Sequence, residues 1–103
     1  MTLYHRHKFN AVAVKRDGIR FDSKKEAGYY DQLKIRVKMG EVHFFLRQSP
    51  IHLPGGVVMR IDFIEFRVDG TVHFIDVKGM RTKTYILKKR QVEALYPIVI
   101  EEV

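Results

Sequence analysis

The sequence predicts a mixed α/β domain of the α+β kind, a central mixed β-sheet flanked by helices in the rough order ββ-α-β-β-β-β-α-β. Three observations carry this. Short runs alternating between apolar and polar residues turn at Asp17-Gly18 and again at Asp69-Gly70. Two stretches with helical periodicity, one opening at Ser23 and one near Thr82, interrupt those runs. At 103 residues and 46% hydrophobic content, the chain has room for one domain, residues 1–103, around a modest core.

Taken in order, "YHRHKFN" makes residues 1–10 a basic, aromatic arm or edge strand. "AVAVKRDGIRFD" predicts a hairpin with arms Ala11–Val14 and Ile19–Phe21. "SKKEAGYYDQLKIRVKMG" predicts a helix, with Ser23 as N-cap and Gly40 just past the end, where a left-handed glycine belongs. Its inward stripe is Glu26, Tyr30, Leu33 and Val37. "VHFFLRQSPIHL" is extended, with Pro50 confining part of it to an edge or a bend. "VVMRIDFIEFRVDGTVHFIDVKG" is the strongest hairpin, and "TKTYILKKRQVEALYP" a second helix capped by Thr82 or Thr84 and stopped by Pro97. Tyr85, Val92 and Tyr96 recur there at helical spacing and are expected in the core. "IVIEEV" is expected to close the fold as a buried strand.

Cysteine is absent, which excludes disulfides, zinc–thiolate sites and cysteine nucleophiles. Any metal would be held by oxygen or imidazole ligands, which favours hard ions. No apolar run is long enough to span a bilayer, and the N-terminus lacks the apolar centre of a signal peptide, so no membrane role and a cytoplasmic location are expected. The formal charge of +7 biases so small a domain towards polyanions.

The register of the second hairpin decides which charges meet. A two-residue loop would set Asp76 against Phe63 and mix Phe74 with Glu65 and Arg67. A three-residue loop, Val68-Asp69-Gly70, pairs Asp62 with Asp76 and Arg60 with Lys78, and puts Gly70 where a left-handed residue is needed. Each face is then internally consistent, so the odd loop is expected. Two facing carboxylates repel. Either Lys78 and Arg60 offset them as an ionic patch on a wet sheet, or a divalent cation does. Glu26 lies on the inward stripe, where a carboxylate needs a partner. "SKKE" also fits a capping box in which Glu26 bonds back to the Ser23 amide.

Glu26 in "SKKEA", Asp62 in "RIDF", and Asp76 and Lys78 in "FIDVKG" together resemble the PD-(D/E)XK nuclease superfamily. The resemblance runs from about Phe21 to the second helix and is most similar to short phage-encoded members related to Holliday-junction resolvases. Ile61 stands where the signature has proline. The resemblance implies a restriction-endonuclease-like core and a divalent-metal-dependent DNA endonuclease, selective for branched DNA and acting as a homodimer in the host cytoplasm if phage-encoded. It implies Mg²⁺, with Mn²⁺ substituting, held by Asp62, Asp76, the Val77 carbonyl and Glu26. Lys78 would orient the nucleophile and stabilise developing charge. Gln48 in "RQSP" is either a site residue or a turn-entry glutamine. DNA contacts are expected from Arg81, Lys83, Lys88, Lys89 and Arg90, extended by Lys24, Lys25, Arg6 and Lys8. The five histidines show no ligand spacing. The other readings are a nicking or end-processing nuclease without junction preference, and a non-catalytic DNA-binding module.

Overall fold

The structure, a computed structural model, describes residues 13–77 and 79–103. The N-terminal arm, Arg6, Lys8 and Lys78 therefore lie outside the described residues. The chain folds as a mixed α+β domain with two helices, a four-stranded mixed sheet and a separate two-stranded hairpin.

The hairpin comprises β1 (Val14–Arg16) and β2 (Ile19–Phe21), paired Val14 to Phe21 and Arg16 to Ile19. Its two central residues, Asp17 (φ 53°) and Gly18 (φ 76°), are both left-handed, which is what a two-residue hairpin turn demands of Asp-Gly. The Asp17 carboxylate accepts from the Tyr30 hydroxyl at 2.8 Å and pairs with Lys34, so the turn is fastened to the following helix. That helix, α1 (Lys24–Lys38), starts where predicted: Ser23 Oγ accepts from the Glu26 amide at 3.1 Å. It ends at Met39 with Gly40 at φ 78°, and buries Glu26, Ala27, Tyr30 and Leu33.

Three strands separate the helices, not the four expected. Pro50 does not divide its segment, because β3 (Val42–Leu53) is an edge strand and a proline there removes no ladder donor the sheet needs. After the Pro54–Gly56 turn come β4 (Val57–Arg67) and β5 (Val72–Asp76). Their loop has three residues: Arg67 donates to the Thr71 carbonyl at 2.9 Å, and Gly70 sits at φ 90°. Phe63 consequently pairs with Ile75 and Ile64 with Phe74, the register that sets Asp62 beside Asp76.

Helix α2 (Lys83–Leu95) is capped by Thr82, whose hydroxyl accepts from the Tyr85 amide at 3.1 Å, and Thr84 is inside it. Tyr85 and Val92 are buried as expected, whereas Tyr96 is partly exposed and donates its hydroxyl to the His52 carbonyl at 2.6 Å. The last strand, β6 (Ile100–Glu102), runs parallel to β5 and completes the order β3-β4-β5-β6. It is not the buried strand expected: only Ile100 is inside, because β6 is the other edge. Among the described residues no helix is long and apolar enough to cross a membrane.

The sheet separates two apolar clusters. Phe21, Ala27, Tyr30, Leu33, Phe63 and Ile75 pack beneath α1, and Ile64, Tyr85, Val92 and Ile100 pack beneath α2. Phe63 lies between the rings of Tyr29 (5.3 Å) and Phe45 (6.2 Å), and burying it contributes roughly 2–3 kcal/mol. Alternation puts Glu65 on the same α1-facing side, where it is fully buried, a placement the sequence analysis did not single out. Burial alone would raise its pKa, but the Tyr29 hydroxyl, Arg36 and Arg67 hold it below the usual carboxylate range. Both arginines approach Oε1 at 3.1 Å. Removing the carboxylate would take the Arg67 guanidinium's partner away and leave Arg36 with Glu41 alone at the edge of the core. Glu65→Ala is therefore expected to cost about 3 kcal/mol in urea-denaturation stability, and a loss below about 1 kcal/mol would show that water takes over the pairing.

Candidate active site

Four side chains from four elements meet at the end of the β4–β5 hairpin remote from its turn: Glu26 from α1, Gln48 from β3, Asp62 from β4 and Asp76 from β5. Gln48 is the link. Its Nε2 donates to Glu26 Oε2 and to Asp62 Oδ1, each at 3.1 Å. It stands opposite Asp62, where the β3–β4 ladder is interrupted between the pairs Arg47–Phe63 and Ser49–Ile61. At φ 50° it is left-handed, a conformation costing a non-glycine residue about 1–2 kcal/mol. Two charge-assisted hydrogen bonds offset that cost.

Asp62 and Asp76 are joined through the backbone. The Asp62 amide donates to Asp76 Oδ1 at 3.1 Å, and the Val77 amide donates to Asp62 Oδ2 at 2.9 Å. Val77 thus brings its N–H to the acidic row. Asp76 is fully buried and borders Tyr85. Burial, the hydrogen bond to Glu102 and the charge of Asp76 all push the Tyr85 hydroxyl pKa up.

The Ser23 hydroxyl makes its half of the capping box, but the Glu26 carboxylate turns to Gln48. Burial pushes the Glu26 pKa up to about 7, helped by the negative charges of Asp62 and Asp22 and opposed by Arg47 and Gln48. Arg47, which the sequence analysis passed over, stacks its guanidinium 4.5 Å above the Phe21 ring. Two residues beyond Phe45, it shares that residue's α1-facing side, which alternation alone could have indicated.

The donors are oxygens throughout, suited in kind to a hard divalent cation. Among the described residues, no three acidic or histidine side chains are grouped closely enough to ligate one ion; Gln48 spans the distance from Glu26 to Asp62. As placed, the Glu26 carboxylate shares the Gln48 amide with a second carboxylate, that of Asp62.

The basic residues divide. Arg81 and Lys89 each lie 3.3 Å from Glu102 and share its single negative charge. Lys88 donates to the Val58 carbonyl at 3.1 Å, while Lys83 and Arg90 are exposed on α2. Lys24 and Lys25 are exposed on the first turn of α1 beside Glu26.

A carboxylate whose folded pKa lies above its unfolded value destabilises the fold when it ionises. The contribution of Glu26 to stability is full below about pH 4.5 and is lost as pH rises through about 7. Glu26→Gln is expected to raise the stability of the EDTA-treated protein at pH 8 by on the order of 2 kcal/mol and to flatten that decline. Chemical denaturation at pH 5 and pH 8 reads both. A variant that follows the wild-type pH profile would mean that Glu26 does not carry the burden.

A comparison with curated proteins gives no match. The family model that matches spans residues 6–102 and is described as a protein of unknown function, DUF1064. The chain therefore belongs to the DUF1064 family.

Proposed function

We propose that this protein is a divalent-metal-dependent DNA endonuclease with a PD-(D/E)XK site on a restriction-endonuclease-like core. The observation that carries the reading is the Gln48 amide bridging Glu26 and Asp62, with Asp76 tied to Asp62 across the hairpin. Acids from a helix and two neighbouring strands gather at one end of a sheet in a chain of formal charge +7. A structural ion patch would not need a strained glutamine or a carboxylate that titrates near 7.

Asp62 and Asp76 would hold Mg²⁺ or Mn²⁺, with the Val77 carbonyl as a backbone donor and Glu26, across Gln48, joining through a water. The ion's contribution is to lower the pKa of a bound water and to neutralise charge on the phosphate. The chain's own residues do the rest. Gln48 fixes the Glu26 and Asp62 carboxylates relative to each other. Glu26 takes or releases a proton near neutral pH. Lys78, two residues beyond Asp76, supplies positive charge for the pentavalent phosphate. Branched DNA cut in pairs by a homodimer is the substrate that the resemblance to junction resolvases favours, with action in the cytoplasm.

One observation favours a second reading, a DNA-binding module without chemistry. Both acidic strand residues spend oxygens on backbone amides, Asp62 on Val77 and Asp76 on Asp62, as structural carboxylates do.

Cleavage of a four-way junction and of its linear duplex, in Mg²⁺, Mn²⁺ or EDTA, separates the two. Metal-dependent cutting is expected, with junction preferred over duplex, and Asp62→Asn or Lys78→Ala is expected to lower the rate at least ~10²-fold. DNA binding with no cutting in either metal would overturn the endonuclease and leave the binding module.

A further inference from the structure

An open pocket of about 230 Å³ lies on the α2 side of the sheet, lined by Arg60, Lys88, Thr82, Thr84, Tyr85 and Asp76. It meets the acidic row only at Asp76. A water occupies ~30 Å³ in the liquid, so the space admits a phosphate group with some of its hydration. We propose that this pocket seats one non-scissile backbone phosphate of the nucleic acid, gripped by Arg60 and Lys88 and oriented by the two threonine hydroxyls. The inference rests on the nucleic-acid reading above and adds residues outside the chemistry.

Charge compensation singles out the pocket. Arg81 and Lys89 share the single carboxylate charge of Glu102. Lys88 donates to a neutral carbonyl, that of Val58, and forms no ion pair among the described residues. Among the described residues Arg60 forms no ion pair, and its side chain is exposed at the pocket mouth. Two such cations across one concavity are what a phosphodiester oxygen pair recruits. Thr82 Oγ accepts from the Tyr85 amide, which leaves its hydrogen free to donate outward. Among the described residues of the wall, two cations, Arg60 and Lys88, stand against one carboxylate, Asp76.

The position fits the chemistry. Asp76 belongs both to the acidic row and to the pocket wall, so a strand crossing the row would present a neighbouring phosphate here. Such a contact contributes register and affinity without reading sequence. Its signature is ionic: each phosphate neutralised contributes about 0.9 to the slope of log K against log salt for duplex DNA.

Anisotropy titrations of a labelled duplex in EDTA at several salt concentrations test this without cleavage. Arg60→Gln and Lys88→Gln are each expected to weaken binding several-fold and the double variant to reduce the slope by about 1, whereas Lys38→Gln, on the far end of α1, changes neither. Thr84→Val is expected to weaken binding with the slope intact. A single methylphosphonate, scanned along one strand, should weaken wild-type binding at one position and leave the Arg60→Gln/Lys88→Gln variant indifferent there. Thermal melts establish that each variant folds. Equal slope losses in Lys38→Gln and the pocket variants, or no methylphosphonate position that distinguishes them, would overturn the pocket and leave endonuclease activity to its own assay. A wild type that cuts nothing yet shows the pocket signature would overturn the endonuclease and keep the pocket.

Discussion

The three-residue loop at Val68-Asp69-Gly70 is the constraint on which the rest depends. With one residue fewer, every side chain beyond the turn would change faces. Arg67 closing on Thr71, and Gly70 at φ 90°, commit the hairpin to pairing Phe63 with Ile75. That choice sends Phe63 and Ile75 into the cluster under α1, and Ile64 and Phe74 towards α2. It also sets Asp62 and Asp76 side by side at the far end. The hydrophobic pattern and the acidic pair are consequences of one register, so neither can be altered without the other.

Two glutamates show how the same fold treats a buried carboxylate in opposite ways. Glu65, inside the hairpin, is surrounded by Arg36, Arg67 and the Tyr29 hydroxyl and stays ionised below its usual range. Glu26, at the open end, has a neutral amide and a second acid as its nearest partners and is pushed up to about 7. Both lie next to the core, and the difference is the company they keep. Cations satisfied on the spot make a structural charge, whereas crowded anions leave a group ready to exchange a proton or accept a cation.

Much of this was legible in the residues. Ser23, Thr82 and Gly40 mark helix ends because capping chemistry is local, and Asp17-Gly18 marks its turn for the same reason. The loop length was legible too, since only one register keeps apolar residues together. What sequence could not settle was whatever depended on a neighbour far along the chain. Pro50 divides a strand or sits harmlessly on an edge according to which strands flank it, and β3 proved to be an edge. The closing stretch from Ile98 is apolar enough to look buried, yet the place of β6 beyond β5 leaves Glu101 and Glu102 outside. Gln48 could be read as a turn-entry residue or as part of the site because its left-handed backbone arises from a ladder interruption that no local motif announces.

That interruption also explains why a glutamine suits position 48. A continuous strand would keep residue 48 in the regular alternation opposite Asp62, and its side chain would follow the pleat. Reversing φ re-aims the side chain so that one amide nitrogen reaches a helix carboxylate and a strand carboxylate at equal distance. Glycine would relax the backbone but lose both bonds. Asparagine also tolerates φ > 0, but its side chain is one methylene shorter. A lysine would bring a full charge that cancels the acids instead of aligning them. The strain is thus the geometric condition for holding Glu26 and Asp62 together, and it is sustained because α1, fixed by Ser23 at its start and by Asp17 on Tyr30, presents Glu26 from the opposite side.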